Sequence, residues 1–156
     1  MYITRFTESL LKERLTNQKV LIVLGARQVG KTTMVIKFLK DTKNTVLNLD
    51  FEVDRQRFNN LASLDIPQLI SNLQGSQVMV IDEAQNLPET GRIVKGWYDK
   101  KLPVKVILLG SSSLDLLDKT AEPLTGRNEK IFLMPLMFGE VVQSQSWFPP
   151  LSNPRN

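Results

Sequence analysis

The chain contains neither cysteine nor histidine. Those two absences exclude a zinc site built on Cys or on Cys and His, a disulfide framework, a cysteine nucleophile and a Ser-His-Asp triad. Chemistry therefore falls to carboxylates, Lys, Arg, hydroxyls, backbone N–H groups or a hard metal ion. No apolar run approaches the ~18 residues that a membrane-crossing helix needs. The first residues mix Arg5, Glu8, Lys12, Glu13 and Arg14 among their apolar neighbours, which is not the pattern of a secretory leader. A cytoplasmic protein with no membrane partner is the expectation.

A chain of 156 residues suits one domain, which buries roughly 70% of its unfolded surface. Hydrophobic content of 42% and charged content of 23% are ordinary for a globular protein. The net charge of +4 is unevenly placed: residues 1–50 carry nine basic and four acidic side chains, residues 51–100 five and seven. A basic first third attracts phosphates or nucleic acid. A solvated surface of mixed charge is the plainer reading, and charge alone decides nothing.

Short apolar runs alternate with segments of helical period, the pattern of an α/β sheet with crossover helices. Strands are expected at Val20–Leu24, Thr45–Leu49, Val78–Ile81, Val104–Leu109 and Ile131–Leu133. Ile3, Phe6, Leu10 and Leu11 fit one face of a first helix, with Glu8 and Lys12 paired four apart on its other side. Met34, Val35, Phe38 and Leu39 give a second helical stripe, and Asp54–Leu61 a short polar helix. Pro67 suits the first turn of another helix. Ile93 and Trp97 share a face after Pro88, and Leu136–Val142 begins a last helix. Residues 1–145 are expected to form the domain and 146–156 an irregular, proline-rich tail.

Gly25-Ala26-Arg27-Gln28-Val29-Gly30-Lys31-Thr32 fits G-x-x-x-x-G-K-S/T at every fixed position. This composition yields about 0.004 such matches by chance, and here a buried strand precedes the loop and a helix follows it. Glycines let the backbone curl so that successive N–H groups face an anion, and the helix beginning near Lys31 adds its positive end. Lys31 is expected on the β- and γ-phosphates and Thr32 on Mg²⁺.

Val78 to Ile81 ends in Asp82-Glu83. In a parallel sheet, ligands gather at the carboxyl ends of strands, where Asp82 and the loop both lie. Asp82 then holds Mg²⁺ opposite Thr32, and Glu83 acts as general base on water. A small-metabolite kinase would need an arginine-rich lid, and a GTPase an Asn/Thr-Lys-x-Asp signature; the chain shows neither. ATP hydrolysis is favoured. A hydroxyl of Ser111 or Ser112 at the tip of the fourth strand can sense the γ-phosphate, while Ser113 suits the cap of a helix over Leu114–Leu117. Arg127 can reach phosphate in its own subunit or a neighbour's, or simply sit in a surface ion pair.

Taken together, these segments resemble the N-terminal ATPase domain of prokaryotic AAA-type ATPases that usually continue into winged-helix and nuclease-like C-terminal domains. The matching stretches are Gly25 to Thr33, Leu47 to Asp50, Ile81 to Gln85, Leu109 to Ser113, Leu124 to Arg127 and Pro135 to Glu140. The resemblance implies a three-layer αβα sandwich with strand order 5-1-4-3-2. It also implies a nucleotide held by Gly25, Gln28, Val29, Gly30, Lys31, Thr32 and Thr33. Two departures stand out. Leu109 occupies the place where the family usually has Thr, which passes sensing to Ser111 or Ser112. The chain also stops after the Phe138-Gly139-Glu140 stretch, as an isolated domain or a truncated product would.

The leading expectation is an ATPase domain acting on ATP with Mg²⁺, with self-association as a further partner. The alternative is a nucleotide-dependent binding module with little turnover, motivated by Leu109 and the missing C-terminal half. A DNA-binding fragment ranks last, because no aromatic-plus-basic motif accompanies the basic first third.

Overall fold

The computed structural model describes residues 2–111 and 120–144. Ser112, Ser113, the expected helix over Leu114–Leu117 and the tail at 146–156 lie outside the described residues. Five parallel strands form one sheet: β1 (Val20–Leu24), β2 (Asn44–Asn48), β3 (Val78–Asp82), β4 (Lys105–Gly110) and β5 (Asn128–Phe132). Their spatial order is β2-β3-β4-β1-β5, which read from the other edge is the expected 5-1-4-3-2. Among the described residues six α-helices accompany them: α1 (Thr7–Arg14), α2 (Lys31–Phe38), α3 (Glu52–Ala62), α4 (Ile66–Asn72), α5 (Thr90–Asp99) and α6 (Phe138–Gln143).

The central strands read as unbroken apolar runs because helices cover both sheet faces. Alternate residues of one strand serve opposite layers. Ile22, Leu24, Met79, Ile81 and Leu108 pack with Phe58, Leu69, Val94 and Trp97 of α3, α4 and α5. Leu21, Val23, Val80, Ile107 and Leu109 pack with Leu11, Met34, Val35 and Leu39 on the α1 and α2 side. Phe58 meets Trp97 edge-on at 5.5 Å between ring centroids, locking α3 to α5. Asp65 caps α4 by accepting from the Gln68 N–H, one half of a capping box with Pro67 in the first turn.

Three expectations need correction. α1 starts only at Thr7, and Phe6 is 46% exposed, so Ile3 and Phe6 do not extend its buried face. The preceding residues 2–5 take no regular structure, and Arg5 among them is buried. Glu8 forms no ion pair with Lys12; its carboxylate accepts from Tyr2 Oη and from the Arg5 N–H. β5 begins at Asn128 rather than Ile131 because it is an edge strand. Only Ile131 within it is buried, so Asn128-Glu129-Lys130 lacks the apolar signature of the inner strands.

Lys105 pins the α1–β1 connection to the head of β4. Its Nζ donates to the carbonyls of Arg14 (2.8 Å), Asn17 (2.9 Å) and Lys19, and to Asn17 Oδ1 (3.2 Å). Lys105→Met leaves those acceptors without their shared donor. It is expected to cost about 1–3 kcal/mol, read as a lower urea midpoint at unchanged slope.

Candidate functional site

The strand registers bring the chemistry to one edge. Leu24 lies opposite Gly110 on one side and Phe132 on the other, and Asn48 lies opposite Asp82. The loop after β1, Asp82 and Ser111 therefore leave the sheet at the same carboxyl end.

The loop's glycines are required by geometry at two positions. A Cβ on Gly25 would fall 2.5 Å from the Leu133 carbonyl oxygen and 3.0 Å from Val29 Cγ2, so only glycine passes beneath the end of β5. Gly30 has φ 90°, in the left-handed region, and leads directly into α2. Gln28 also has positive φ (62°), an uncommon strain for a side-chain-bearing residue. Gln28 and Thr33 are exposed at the loop surface, while Val29, Gly30 and Thr32 are half-buried.

Lys31 is only 6% exposed, and its Nζ donates to the carbonyls of Gly25 (3.0 Å) and Ala26 (2.9 Å). Thr32 Oγ1 donates to Asp82 Oδ2 at 2.6 Å, which brings the head of α2 to the end of β3. Asp82 is buried, and its other oxygen accepts from the Glu83 N–H at 2.9 Å. Glu83 itself sits at φ 52°, ψ 43°, a left-handed turn immediately after β3. Its Oε2 accepts from Gln85 Nε2, and Gln85 Oε1 is buried without a partner among the described residues. Asn86, in the same turn, donates to Asp50 after β2.

These residues fit a bound Mg²⁺. Thr32 and Asp82 supply two hard oxygens already in contact, and no cluster of three or more His, Cys, Asp or Glu exists among the described residues to form a dedicated cage. Mg²⁺ typically takes one or two protein ligands and completes its shell with water and substrate phosphate.

Arg127 stands apart. It precedes β5, accepts from the Val20 N–H through its carbonyl, and its Nε donates to Asp99 at 2.6 Å. That is the amino edge of the sheet. Five strand residues at about 3.3 Å each separate it from the loop, beyond the reach of an arginine side chain. The reading in which Arg127 touches phosphate in its own subunit is therefore corrected. A hollow of about 630 Å³, lined by Trp97, Leu102 and Pro103 among others, also lies at that amino edge, away from the loop.

Sequence reasoning missed one part of the neighbourhood. Arg5, 6% exposed, spreads its guanidinium over three acceptors: Glu140 Oε2 (3.2 Å), the Val29 carbonyl (2.9 Å) and the Met134 carbonyl. Burial alone would raise the pKa of Glu140. The N–H donors of Met137 and Phe6 and the Arg5 charge outweigh it and hold the carboxyl below its usual range. Nothing in the sequence marks Arg5 among the other basic residues; Glu140 was legible only as part of the Phe138-Gly139-Glu140 stretch.

A parallel sheet in this order, with a glycine loop after its first strand and a strand-end Asp82 beside it, is the fold of the P-loop ATPases. Residues 17–142 match the AAA domain family, and the chain belongs to it. An uncharacterised protein of Mycobacterium tuberculosis is 31% identical over 136 residues, which is 86% of this chain and 29% of that protein. The chain thus spans under a third of the relative's length. Among solved structures, a Walker-type ATPase of Pyrococcus abyssi superposes with a TM-score of 0.64 at 21% identity, covering 91% of this chain and 56% of that one. The Orc1 protein of Aeropyrum pernix, solved with DNA, gives 0.60 at 12% identity over 91% and 48%. These two show the shared fold. No helix among the described residues is long and apolar enough to cross a membrane.

Proposed function

We propose that this chain is an Mg²⁺-dependent ATP-hydrolysing domain of the AAA type, working in the cytoplasm. The observation that carries the reading is the contact of Thr32 with Asp82 beside the glycine loop. Lys31 exchanges its loop carbonyls for β- and γ-phosphate oxygens. Mg²⁺, held by Thr32 and Asp82, would neutralise charge building on those oxygens. Glu83 orients a water and accepts its proton, with Gln85 steadying the carboxylate. Ser111, which follows directly on β4, senses the γ-phosphate. A cleft of about 230 Å³ between Tyr2, Ile3, Gln28, Val29, Thr33 and Leu136 borders the loop and takes the base. Where such a domain continues into others, as the resemblance implies, the nucleotide state would drive their movement.

Arg127 serves a neighbouring copy in this proposal. A head-to-tail contact sets the amino edge of one molecule against the carboxyl edge of the next. Phosphate release from Mg-ATP, measured across a concentration series, is expected to show a specific rate that rises with protein concentration. Arg127→Ala should flatten that rise and leave a basal rate lower by roughly 10²-fold or more than the plateau. A rate per molecule independent of concentration, unchanged by Arg127→Ala, removes the neighbour role.

A second reading is favoured by Leu109, whose side chain is fully buried against the α1 and α2 layer and offers no hydroxyl at the end of β4. In it the chain is a nucleotide-dependent switch with hardly any turnover. Measurable phosphate release that disappears in Glu83→Gln would exclude it. Nucleic acid, suggested by the basic first fifty residues, is the weakest partner; a steep loss of affinity with salt would be its signature.

A further inference from the structure

We propose that Arg5, locked by Glu140, is the positioning residue that sets the phosphate-facing orientation of the Val29–Gly30 peptide, and that it couples α6 to nucleotide affinity. The inference rests on the nucleotide site described above. No residue of the G-x-x-x-x-G-K-S/T pattern supplies this control; it comes from the two ends of the described fold.

The guanidinium is planar, and its N–H groups point along fixed directions. Here Nη1 donates to the Val29 carbonyl at 2.9 Å, Nη2 to the Met134 carbonyl and Nε to Glu140 Oε2 at 3.2 Å. Three segments therefore meet at one side chain: the phosphate loop, the β5–α6 connection and α6. The Glu140 carboxylate is equally committed. Its Oε1 accepts from the Phe6 N–H at 2.9 Å and its Oε2 from the Met137 N–H at 2.9 Å. The pair is 6% and 2% exposed, so neither partner finds compensation in water if the other moves.

The consequence for the loop follows from peptide geometry. The Val29 C=O and the Gly30 N–H belong to one planar trans unit and point in opposite directions. Holding the carbonyl on Arg5 turns the Gly30 N–H away from Arg5, and on this proposal that is the side a phosphate approaches. Gly30 at φ 90° can accept that plane, where a residue with a Cβ would resist it. A displacement of α6 draws Glu140 with it, loosens the Arg5 guanidinium and frees the Val29 carbonyl to rotate. Nucleotide affinity then falls without any change in the residues that touch phosphate.

The test compares Arg5→Lys, Glu140→Gln and Lys105→Met with the unaltered chain. A lysine keeps the charge opposite Glu140 but cannot present three N–H groups in one plane. Lys105→Met weakens the fold at the opposite edge of the sheet and serves as the control. Calorimetric titration with ADP in Mg²⁺ is expected to show at least tenfold weaker binding for Arg5→Lys and Glu140→Gln, and unaltered binding for Lys105→Met. In the ¹⁵N-labelled free protein, the Gly30 amide resonance should move in the first two variants and stay in place in the third. ADP affinity within twofold in both Arg5→Lys and Glu140→Gln, or a Gly30 resonance that does not move in whichever of them folds, overturns the proposal. Binding by the unaltered chain that is lost in Lys31→Met keeps the nucleotide reading separate from that failure. No ADP binding by the unaltered chain overturns both.

Discussion

Lys31→Met is expected to weaken ATP binding by about a hundredfold or more while the chain stays folded, at a cost of about 1–3 kcal/mol for the two carbonyls left without their donor. The side chain is a buried cation whose partners among the described residues are two neutral carbonyls of its own loop, Gly25 and Ala26. No acidic side chain pairs with it among the described residues. A charge in that setting is poorly compensated until an anion arrives, because neutral dipoles replace only part of the water it has lost. Charge-assisted hydrogen bonds to phosphate contribute about 1.5–3 kcal/mol each. Two such bonds lost correspond to a factor of roughly 10² or more, since 1.4 kcal/mol is tenfold. Methionine matches the length and tolerates the apolar surroundings, so the fold survives. Titration with a fluorescent ATP analogue checks the effect; unchanged affinity in a folded variant would remove Lys31 from the binding site.

Glu83→Gln should do the opposite: keep binding within about threefold and reduce phosphate release by roughly 10²–10³-fold, the usual share of a positioned general base. The substitution preserves the side-chain shape, and Gln retains an oxygen to accept from Gln85. It also leaves the positive-φ turn at Glu83 as it was, so the end of β3 and the Thr32–Asp82 contact are undisturbed. Strained backbone of this kind persists where surrounding structure over-determines it, and it clusters at functional sites. Single-turnover and steady-state phosphate release, measured with bound nucleotide quantified in parallel, separate the two effects. Full activity in Glu83→Gln would place the base on another group.

The two substitutions differ in how their targets were visible. Lys31 and Thr32 are adjacent in the sequence and belong to a spacing rule, because the loop's work is done by consecutive backbone groups. Glu83 is legible only through its position after an apolar strand. Its left-handed turn and its bond to Gln85 needed coordinates. Arg5 and Glu140 lie 135 positions apart, and no local pattern couples residues at that separation. The early start of β5 was hidden for a related reason. An edge strand is stabilised by pairing to β1 rather than by burial, so its sequence carries little apolar periodicity.

By itself, then, the sequence determined the class of fold, the glycine loop and the strand-end carboxylates. Those features rest on local physics: apolar runs that demand burial on both faces, glycines that permit a curled loop, and charges at a fixed offset from a strand. Only the tertiary structure decided which distant side chains meet. It set Thr32 on Asp82, carried Arg127 to the opposite edge, and buried Arg5 with Glu140 against the Val29 carbonyl. Such contacts depend on the order in which five strands assemble, and that order is set by crossover connections and packing summed over the whole chain.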